Sequence, residues 1–358
     1  MSLEEEKQYL LYEESSTYQD INISKIDEKE QQHLNFIKSW QTDSYIMYYP
    51  HKCYIDPAYG WIITEKNKLM LHSVPCSYNK IKYKSSWGEV PKSDKILFIR
   101  KKRKTQTLDS AISLNEMGGG FGKNYFFLWD ALFGELAMLE QHGIDIYSMP
   151  IIIPKEIYET AFFQQAIKLS DKFNNINWIV RDSNFIECQR VYTCKVIHYR
   201  AKYITTVIGW FNNIVSGQHS ITKVFLKRSQ RASRHIENAE EVEAIAQKYG
   251  FIIIDNEQMS VIEQIKLYRN ITHLIAIHGA GITNIIFRYP QKLSILELHT
   301  ISNVPASYAI LSNQLGYRYN IMIGSKLIGD SNNLWAKTSS FYLDPTEFET
   351  KVKKLINE

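Results

Sequence analysis

Glycines and short polar side chains follow an apolar run in the second half of the chain. The segment reads His278, Gly279, Ala280, Gly281, Ile282, Thr283 and Asn284. A buried strand, a tight turn and the start of a helix are predicted by this pattern. Glycines let a backbone approach a ligand closely, and the free N–H groups of a helix start attract an anion such as a diphosphate. The same spacing also fits a turn that only packs a helix tightly on its strand.

Two arginines are candidate partners for such an anion. Arg228 follows the apolar run 224–226, which is predicted to be a strand, and Arg234 lies six residues further on. A guanidinium can hold two phosphate oxygens at once, so a strand-end arginine beside the glycines suits a diphosphate. The alternative for Arg228 is an ordinary surface arginine. For Arg234, the nearby Arg231 is a competitor for the same role.

The surrounding pattern predicts a doubly wound α/β unit. Strands are expected at 223–226, 251–254, 273–277 and 293–298, with helices after Asn238 and after Ser260. Ser260 with Glu263 has the form of a capping box, and Gly250 stands where a helix ends. Alternating strands and helices with short connections predict a parallel sheet whose ligand lies at the carboxyl ends of the strands.

The first half of the chain also reads as α/β. Leucines at 128, 132, 136 and 139 predict a core helix within 124–142, followed by a strand at 151–154, a helix at 156–173 and a strand at 178–180. We therefore expect an appendage at 1–45, an N-terminal α/β domain at 46–215, and a C-terminal Rossmann-like domain at 216–358 that carries the candidate anion site. Packing of the last helix against the first domain is a further expectation.

Composition limits the function classes. The 358 residues are 44% hydrophobic and 22% charged, which predicts a packed core and excludes a disordered chain. A net charge of +4 is too small to indicate a nucleic-acid partner. Neither a secretory signal nor an apolar run of membrane-spanning length is evident, and the four cysteines lack zinc spacing, so a cytoplasmic protein with free thiols is expected. The basic run 100–104 is interpreted as a solvated loop, with contact to anionic lipid as the alternative.

The order of these residues resembles glycosyltransferase family 61 over about 220–300. The matching positions are Lys227, Arg228, Arg234, Asn238, Ser260, Gln264, the segment 278–284, Phe287 and Glu297. A weaker match covers Asn124, Tyr125, Trp129 and Asp130, where Phe126 or Phe127 stands in place of the family's histidine. The resemblance implies a GT-B fold of two Rossmann-like domains facing a cleft. It also implies an inverting transfer from a nucleotide-sugar, commonly UDP-linked, without a catalytic metal or other cofactor.

Roles for the site residues follow from that resemblance. Arg228, Arg234, Gln264, Gly279, Ala280, Gly281, Thr283, Asn284 and Glu297 are predicted to bind the donor. His278 is predicted to contact the diphosphate, with an acceptor-side base or a local backbone cap as alternatives. Glu297 would bind ribose or sugar hydroxyls, or else be a buried carboxylate paired with a base. Asp130 is the preferred catalytic base, with Glu135 as its competitor.

The resemblance further implies a bacterial enzyme of capsule or lipopolysaccharide synthesis. Its acceptor would be a glycan or lipid-linked glycan, so contact with the inner membrane surface is a possible extension of the cytoplasmic location. Two rivals stay open at this point. One is a degenerate transferase that only binds nucleotide or glycan, and the other is a nucleotide-dependent dehydrogenase, although the third glycine of the dinucleotide pattern is missing after Gly281.

Overall fold

The computed structural model places most of the chain in two compact units. Residues described are 3–18, 26, 28–34, 40–57, 60–70, 83–85, 88–90, 104–114, 125, 128–196, 200–214, 222–228, 234–301, 304–326 and 340–357. Unit 1 comprises Met1–Ser16, Gln41–His198 and Lys202–Phe211, and unit 2 comprises Thr17–Trp40, Tyr199–Ala201 and Asn212–Glu358. The glycine-rich loop 118–122, Asn124, Phe126, Phe127, Arg231 and the basic residues 100–103 lie outside the described residues.

Two larger sheets and one two-stranded sheet lie in the described residues of unit 1. Its strands are β1 (Leu10–Tyr18), β2 (Trp40–Tyr49), β3 (Cys53–Ile55), β4 (Ile62–Thr64), β5 (Tyr83–Ser85), β6 (Gly88–Val90), β7 (Lys104–Leu108), β8 (Ala111–Leu114), β9 (Ile151–Pro154), β10 (Trp178–Arg181), β11 (Phe185–Cys188) and β12 (Val191–Lys195). The larger sheet has the order β1-β2-β12-β8-β9-β10, and β12, β8, β9 and β10 pair in parallel. The smaller sheet has the order β4-β3-β11-β7, and β5 pairs separately with β6.

Unit 2 is built on one sheet of six strands. These are β13 (Lys223–Leu226), β14 (Ile252–Ile254), β15 (His273–Ile277), β16 (Ser294–Thr300), β17 (Arg318–Lys326) and β18 (Phe341–Tyr342). Their order is β14-β13-β15-β16-β17-β18, and every neighbouring pair is parallel except β17 with β18. The first five strands therefore follow the doubly wound order 2-1-3-4-5.

Helices flank these sheets. The α-helices are α1 (Leu3–Glu6), α2 (Glu28–Leu34), α3 (Phe133–Gln141), α4 (Lys155–Tyr158), α5 (Ala161–Lys168), α6 (Ala201–Gly209), α7 (Ala239–Lys248), α8 (Val261–Asn270), α9 (Ser307–Gln314) and α10 (Pro345–Asn357). A π-helical turn, Leu128–Leu132, leads into α3, and a nine-residue 3-10 helix, Ala280–Arg288, follows β15. Within the described ranges, no helix is long and apolar enough to cross a membrane.

Apolar periodicity explains why several predicted elements form. Leu128, Leu132, Leu136 and Leu139 are all buried, as their helical spacing predicts. Ser260 and Glu263 form the predicted capping box at the start of α8. Gly250 has φ +82° just after α7, where a residue with a Cβ would be strained.

Other predictions need correction. The expected appendage at 1–45 contains β1, α2 and the start of β2, and β1 and β2 extend the larger sheet of unit 1. The expected helix at 156–173 is interrupted at Thr160, whose hydroxyl caps the next helix by accepting from the Phe163 N–H. Asn238 was expected to cap α7, but its side chain donates to the Leu343 carbonyl and accepts from the Leu343 N–H.

The last helix packs within unit 2. Phe348, Val352 and Leu355 of α10 share a buried cluster with residues of α7 and of β13, β15 and β16. Packing of this helix against the first domain, which the sequence suggested, stays a prediction. The apolar spacing of α10 predicts a buried face but does not reveal which sheet covers it.

Candidate functional site

The strand order of unit 2 places the site. The order reverses between β13 and β15, and in sheets of this type ligands bind at the carboxyl ends of the two strands that flank the reversal. Leu226 near the end of β13 pairs with Ala276 near the end of β15. The residues that immediately follow these ends include Arg228 and His278, so two predicted site residues meet at the switch point.

Arg228 lies directly against the glycine turn, by which we mean residues 278–284. Its Nη1 donates a 3.0 Å hydrogen bond to the His278 carbonyl oxygen. A Cβ built on Gly279 would lie 3.0 Å from the same nitrogen, so glycine permits the close approach of the guanidinium. Burial lowers the pKa of Arg228, while the charge of Glu257 opposes this effect. The arginine remains a cation at any physiological pH.

Arg234 is the second cation of the site. Burial, followed by the repulsion of the Arg228 charge, lowers the pKa of Arg234 to about 10. The backbone of Arg234 has φ +66°, a left-handed conformation that costs energy for a residue with a Cβ. Its Nε is buried without a hydrogen-bond partner. Neither arginine has a carboxylate partner within ion-pair distance among the described residues.

His278 is held from inside the protein. Its Nδ1 lies 2.5 Å from Glu297 Oε1, and its side chain is only 12% exposed. Burial lowers the pKa of His278 to about 4, which outweighs the opposing effect of Glu297. The ring stacks on His299 at a centroid distance of 5.2 Å and lies 5.4 Å from the Tyr308 ring. The imidazole is therefore neutral at pH 7.

Glu297 is a buried carboxylate with several partners. It has no exposed surface, Tyr319 donates a 2.5 Å hydrogen bond to its Oε2, and His299 Nε2 lies 3.5 Å from the same oxygen. Burial alone would raise the pKa of Glu297, but its electrostatic interactions with the rings of His299 and His278, together with the hydrogen bond from His278, hold it below its usual range. This geometry matches the second sequence alternative, a buried carboxylate paired with a nearby base. A direct contact between Glu297 and a donor stays a prediction.

Three further predicted donor contacts have partners inside the protein. Asn284 donates to Gln264 Oε1 at 2.7 Å, and Gln264 donates to the Asn256 and Met259 carbonyls. Thr283 is fully buried, with its hydroxyl 3.2 Å from that of Tyr308. The structure thus brings these predicted residues together, but beneath the turn. Their bonds tie the 3-10 helix to α8 and α9, and their contact with a donor is an untested prediction.

Gly281 explains why the turn needs a second glycine. A Cβ at this position would lie 2.3 Å from Asn256 Nδ2, closer than atoms can approach. Tyr268 donates a 3.0 Å hydrogen bond to the Gly281 carbonyl from α8. Gly281 therefore serves packing against Asn256. Gly279 and Ala280, at the start of the 3-10 helix, are partly exposed, so the mouth of the turn is the part that a ligand can reach.

Asp130, the predicted base, lies in unit 1 within the turn Leu128–Leu132, and its side chain is outside the described part of the structure. Glu135 is buried at 1% exposure. Two tryptophans of unit 1 are core residues: Trp129 packs edge-on against Phe133 and Phe211, and Trp210 donates to Glu140 Oε2. The catalytic role of Asp130 therefore remains a prediction.

His278, Glu297 and His299 are close enough to be considered as metal ligands. Their ligand atoms lie within 4.8 Å of one another, and two imidazoles with one carboxylate suit a transition metal. The 2.5 Å separation of His278 Nδ1 from Glu297 Oε1, however, is that of a short hydrogen bond between the two side chains. His299 Nε2 lies 3.5 Å from the other oxygen of Glu297, and neither nitrogen of its ring has a hydrogen-bond partner among the described residues.

Four residues of the site escaped the sequence analysis: Asn256, His299, Tyr308 and Tyr319. His299 could have been found, because it lies two residues after Glu297 on β16 and so on the same face of the sheet. The other three approach the turn from different elements. Their roles depend on long-range contacts that no local pattern reveals.

Comparisons with known proteins complete the evidence. A search of the curated proteins gives no match. Among solved structures, the chain is similar to the bacterial iron-containing dodecameric glycosyltransferase TibC from enterotoxigenic E. coli, with 12% identity, 87% of this chain and 92% of that chain covered, and a TM-score of 0.36. TibC in complex with ADP-D-β-D-heptose matches at 11% identity over the same shares, with a TM-score of 0.37. At such TM-scores nothing about this chain follows from the likeness.

The family model described as "Glycosyltransferase 61" matches residues 44–296. This range covers well over half of the 358 residues and includes Arg228, Arg234 and the glycine turn. It also includes Asp130, so the match extends across both halves of the chain. The family match excludes a dehydrogenase. The chain belongs to glycosyltransferase family 61.

Proposed function

We propose that this glycosyltransferase transfers a sugar from a nucleotide-sugar, UDP-linked in our proposal, to a hydroxyl of a glycan or lipid-linked glycan, with inversion. The donor diphosphate lies at the mouth of the glycine turn in unit 2. Backbone N–H groups at the start of the 3-10 helix face it, and the carboxyl ends of β13 and β15 flank it. A GT-B arrangement and an origin in capsule or lipopolysaccharide synthesis are parts of the same proposal.

The pair of arginines is the observation that supports this proposal most strongly. Arg228 and Arg234 are both partly buried, each charge lowers the cost of binding an anion, and no described carboxylate forms an ion pair with either. Two desolvated like charges side by side are unfavourable in an empty site. A diphosphate bound between them would offset the repulsion and would accept hydrogen bonds from the guanidinium groups. The site is therefore preorganised for that ligand.

The arginines would also stabilise the negative charge of the leaving group. As the glycosidic bond to the donor breaks, negative charge develops on the diphosphate, and fixed cations stabilise it. We therefore propose that no catalytic metal or other cofactor is required. Asp130 is proposed as the base that takes the proton of the acceptor hydroxyl, and Gln264, Thr283 and Asn284 are proposed to hold the turn in shape. The proposed location is the cytoplasm, with the basic run 100–104 facing the inner membrane surface.

Binding of nucleotides tests the donor site directly. Thermal-shift titrations with UDP, GDP, CDP and CMP, with NAD as a control, should show stabilisation by one nucleoside diphosphate. Arg228→Ala should weaken that binding about 10- to 100-fold, because a charged hydrogen bond contributes about 1.5–3 kcal/mol. Arg318→Ala is the matched control, since this exposed arginine begins β17 at the opposite end of the same sheet.

Two outcomes would contradict the proposal. If none of the nucleotides stabilises the protein, the proposed donor site is wrong. Equal losses in Arg228→Ala and Arg318→Ala would show that binding is not localised at the glycine turn. Nucleotide binding without hydrolysis or transfer of any UDP-sugar, measured by release of UDP, would instead favour a degenerate binding protein.

A further inference from the structure

The hydrogen-bond cluster behind His278 determines more than the position of the ring. Glu297 is fully buried and its two oxygens have different partners: His278 Nδ1 at Oε1, and Tyr319 and His299 at Oε2. A carboxylate can only accept hydrogen bonds, so a 2.5 Å contact requires the proton on Nδ1 of the imidazole. The other ring nitrogen, Nε2, then holds a lone pair when the ring is neutral.

We propose that Glu297 is a positioning residue that keeps His278 in the Nδ1-protonated form, so that Nε2 accepts a hydrogen bond from a hydroxyl group of the bound donor or acceptor. This inference rests on the proposed function for the identity of the ligand. It replaces direct donation from His278 to a phosphate oxygen, because a lone pair repels an anionic oxygen. None of the residues that the structure describes forms a hydrogen bond with Nε2, so that nitrogen is available to a ligand.

The groups around the imidazole ring support a neutral His278 that accepts a hydrogen bond at Nε2. Besides Glu297, the groups that face His278 are the neutral Tyr308, the stacked His299 and the two arginines Arg228 and Arg234. Cations beside an imidazole disfavour a second proton on it, and burial does the same. The anion is thus left to the arginines and the backbone, while the imidazole recognises a proton donor.

The cluster also predicts the effect of one conservative substitution. In Glu297→Gln, the amide oxygen should take the Oε2 position, since Tyr319 donates there. The amide NH₂ then faces Nδ1 of His278 and requires that nitrogen to accept. The proton moves to Nε2, so Glu297→Gln should invert the tautomer while leaving the shape of the side chain unchanged. Tyr319→Phe is the matched control: it removes one hydroxyl from the same cluster but leaves the carboxylate on Nδ1.

Nitrogen NMR of histidine-labelled protein tests this directly, because protonated and unprotonated ring nitrogens have well-separated resonances. His278→Gln assigns the His278 signals. Wild type and Tyr319→Phe should show Nδ1 protonated and Nε2 unprotonated, with exchange of the two signals in Glu297→Gln. An unprotonated Nδ1 or a doubly protonated ring in the wild type at pH 7 would overturn the assignment. So would one tightly bound metal ion per chain that is lost in Glu297→Gln, measured by elemental analysis, since a metal would then occupy the place of the proton.

Addition of UDP completes the test. If Nε2 stays unprotonated in the UDP complex, its role as a hydrogen-bond acceptor is supported, whereas protonation of Nε2 on binding would overturn that role. The tautomer is measured without ligand, so a failure of UDP to bind would defeat the proposed donor site and leave the positioning role of Glu297 intact. Melting curves of each variant confirm that the labelled protein is folded.

Discussion

At the scale of single residues, our proposals assign anion binding and hydroxyl recognition to different side chains. The arginines at the end of β13 and beyond it hold positive charge next to the glycine turn, whereas His278 is neutral because it is buried. A positive imidazole there would add a third cation to the cluster. The neutral ring needs less compensating charge when the ligand is absent. This is the physical reason to assign anion binding to the guanidinium and backbone N–H groups and not to the imidazole.

The low pKa of His278 predicts how stability depends on pH. The folded protein holds this ring neutral down to about pH 4, while an unfolded chain protonates it near 6.5. Between these values the unfolded state binds more protons, so the free energy of unfolding should fall as the pH falls, by up to about 1.4 kcal/mol per pH unit. Urea denaturation of wild type and His278→Gln at pH 7, 6 and 5 measures this slope.

His278→Gln isolates the contribution of this ring. His273, whose pKa is also lowered by burial, contributes equally to both proteins, and the difference in slope belongs to His278. Equal slopes in the two proteins would contradict the neutral, buried imidazole. Glu297 contributes in a lower range: since its folded pKa is depressed, its stabilisation is lost only as the pH falls below about 4.5, its ordinary value.

At the scale of elements, the glycine turn is a contact between three pieces of chain. The 3-10 helix Ala280–Arg288 presses Gly281 against Asn256 of the preceding loop, and α8 supplies Tyr268 and Gln264 beneath it. Hydrogen bonds from side chains, rather than from the first turn of a regular α-helix, hold this segment. The ligand-facing backbone is therefore as rigid as the packing behind it.

Gly281→Ala tests that packing. The added methyl would overlap Asn256 Nδ2, so we expect a loss of about 2 kcal/mol in the free energy of unfolding and weaker nucleotide binding. Gly209→Ala is the control, because a Cβ there meets nothing within 4 Å and should change stability by less than about 1 kcal/mol. Denaturant unfolding gives both values. In the background Asn256→Ala, the cost of Gly281→Ala should largely disappear; an unchanged cost would show that the glycine is needed for another reason.

Much of this element could be predicted from the sequence, and the limits are instructive. Local signals sufficed for the strand before His278, for the position of Arg228 at a strand end and for the capping box at Ser260. Asparagine is a residue type that often caps helices, but the side chain of Asn238 donates to the carbonyl of Leu343, 105 residues away. Tyr308 and Tyr319 were missed for the same reason, because each reaches the site from an element distant in sequence. The segment 1–45, expected to be an appendage, contains strands of the larger sheet of unit 1, because β2 pairs with the distant β12 and β1 adjoins β2.

At the scale of the whole molecule, the chain passes between the two units more than once. Residues 17–40 belong to unit 2 although the segments on either side of them belong to unit 1. Within unit 2, Glu30 of α2 forms a buried ion pair of 2.6 Å with Lys351 of α10, and Lys351 also donates to the Ile321 carbonyl. The pair fastens the early segment to the last helix of the same unit.

Glu30→Ala should therefore be strongly destabilising. The side chain of Lys351 is 5% exposed, and loss of the carboxylate would break a buried ion pair, at a cost of about 3 kcal/mol. Lys353→Ala, which removes an exposed pair on the same helix, should leave the free energy of unfolding nearly unchanged. Denaturant unfolding of the two variants makes the comparison. A loss in Glu30→Ala no larger than in Lys353→Ala would show that the ion pair does not hold α2 in place.

The ion pair between Glu30 and Lys351 has a consequence for biosynthesis. A ribosome makes these residues 321 positions apart, so the helix that holds Glu30 emerges long before its partner exists. The strands on either side of that helix can begin pairing in the meantime, but unit 2 cannot acquire its final form until α10 has left the exit tunnel. Until then the carboxylate of Glu30 stays in water, and only the arrival of Lys351 makes its burial favourable.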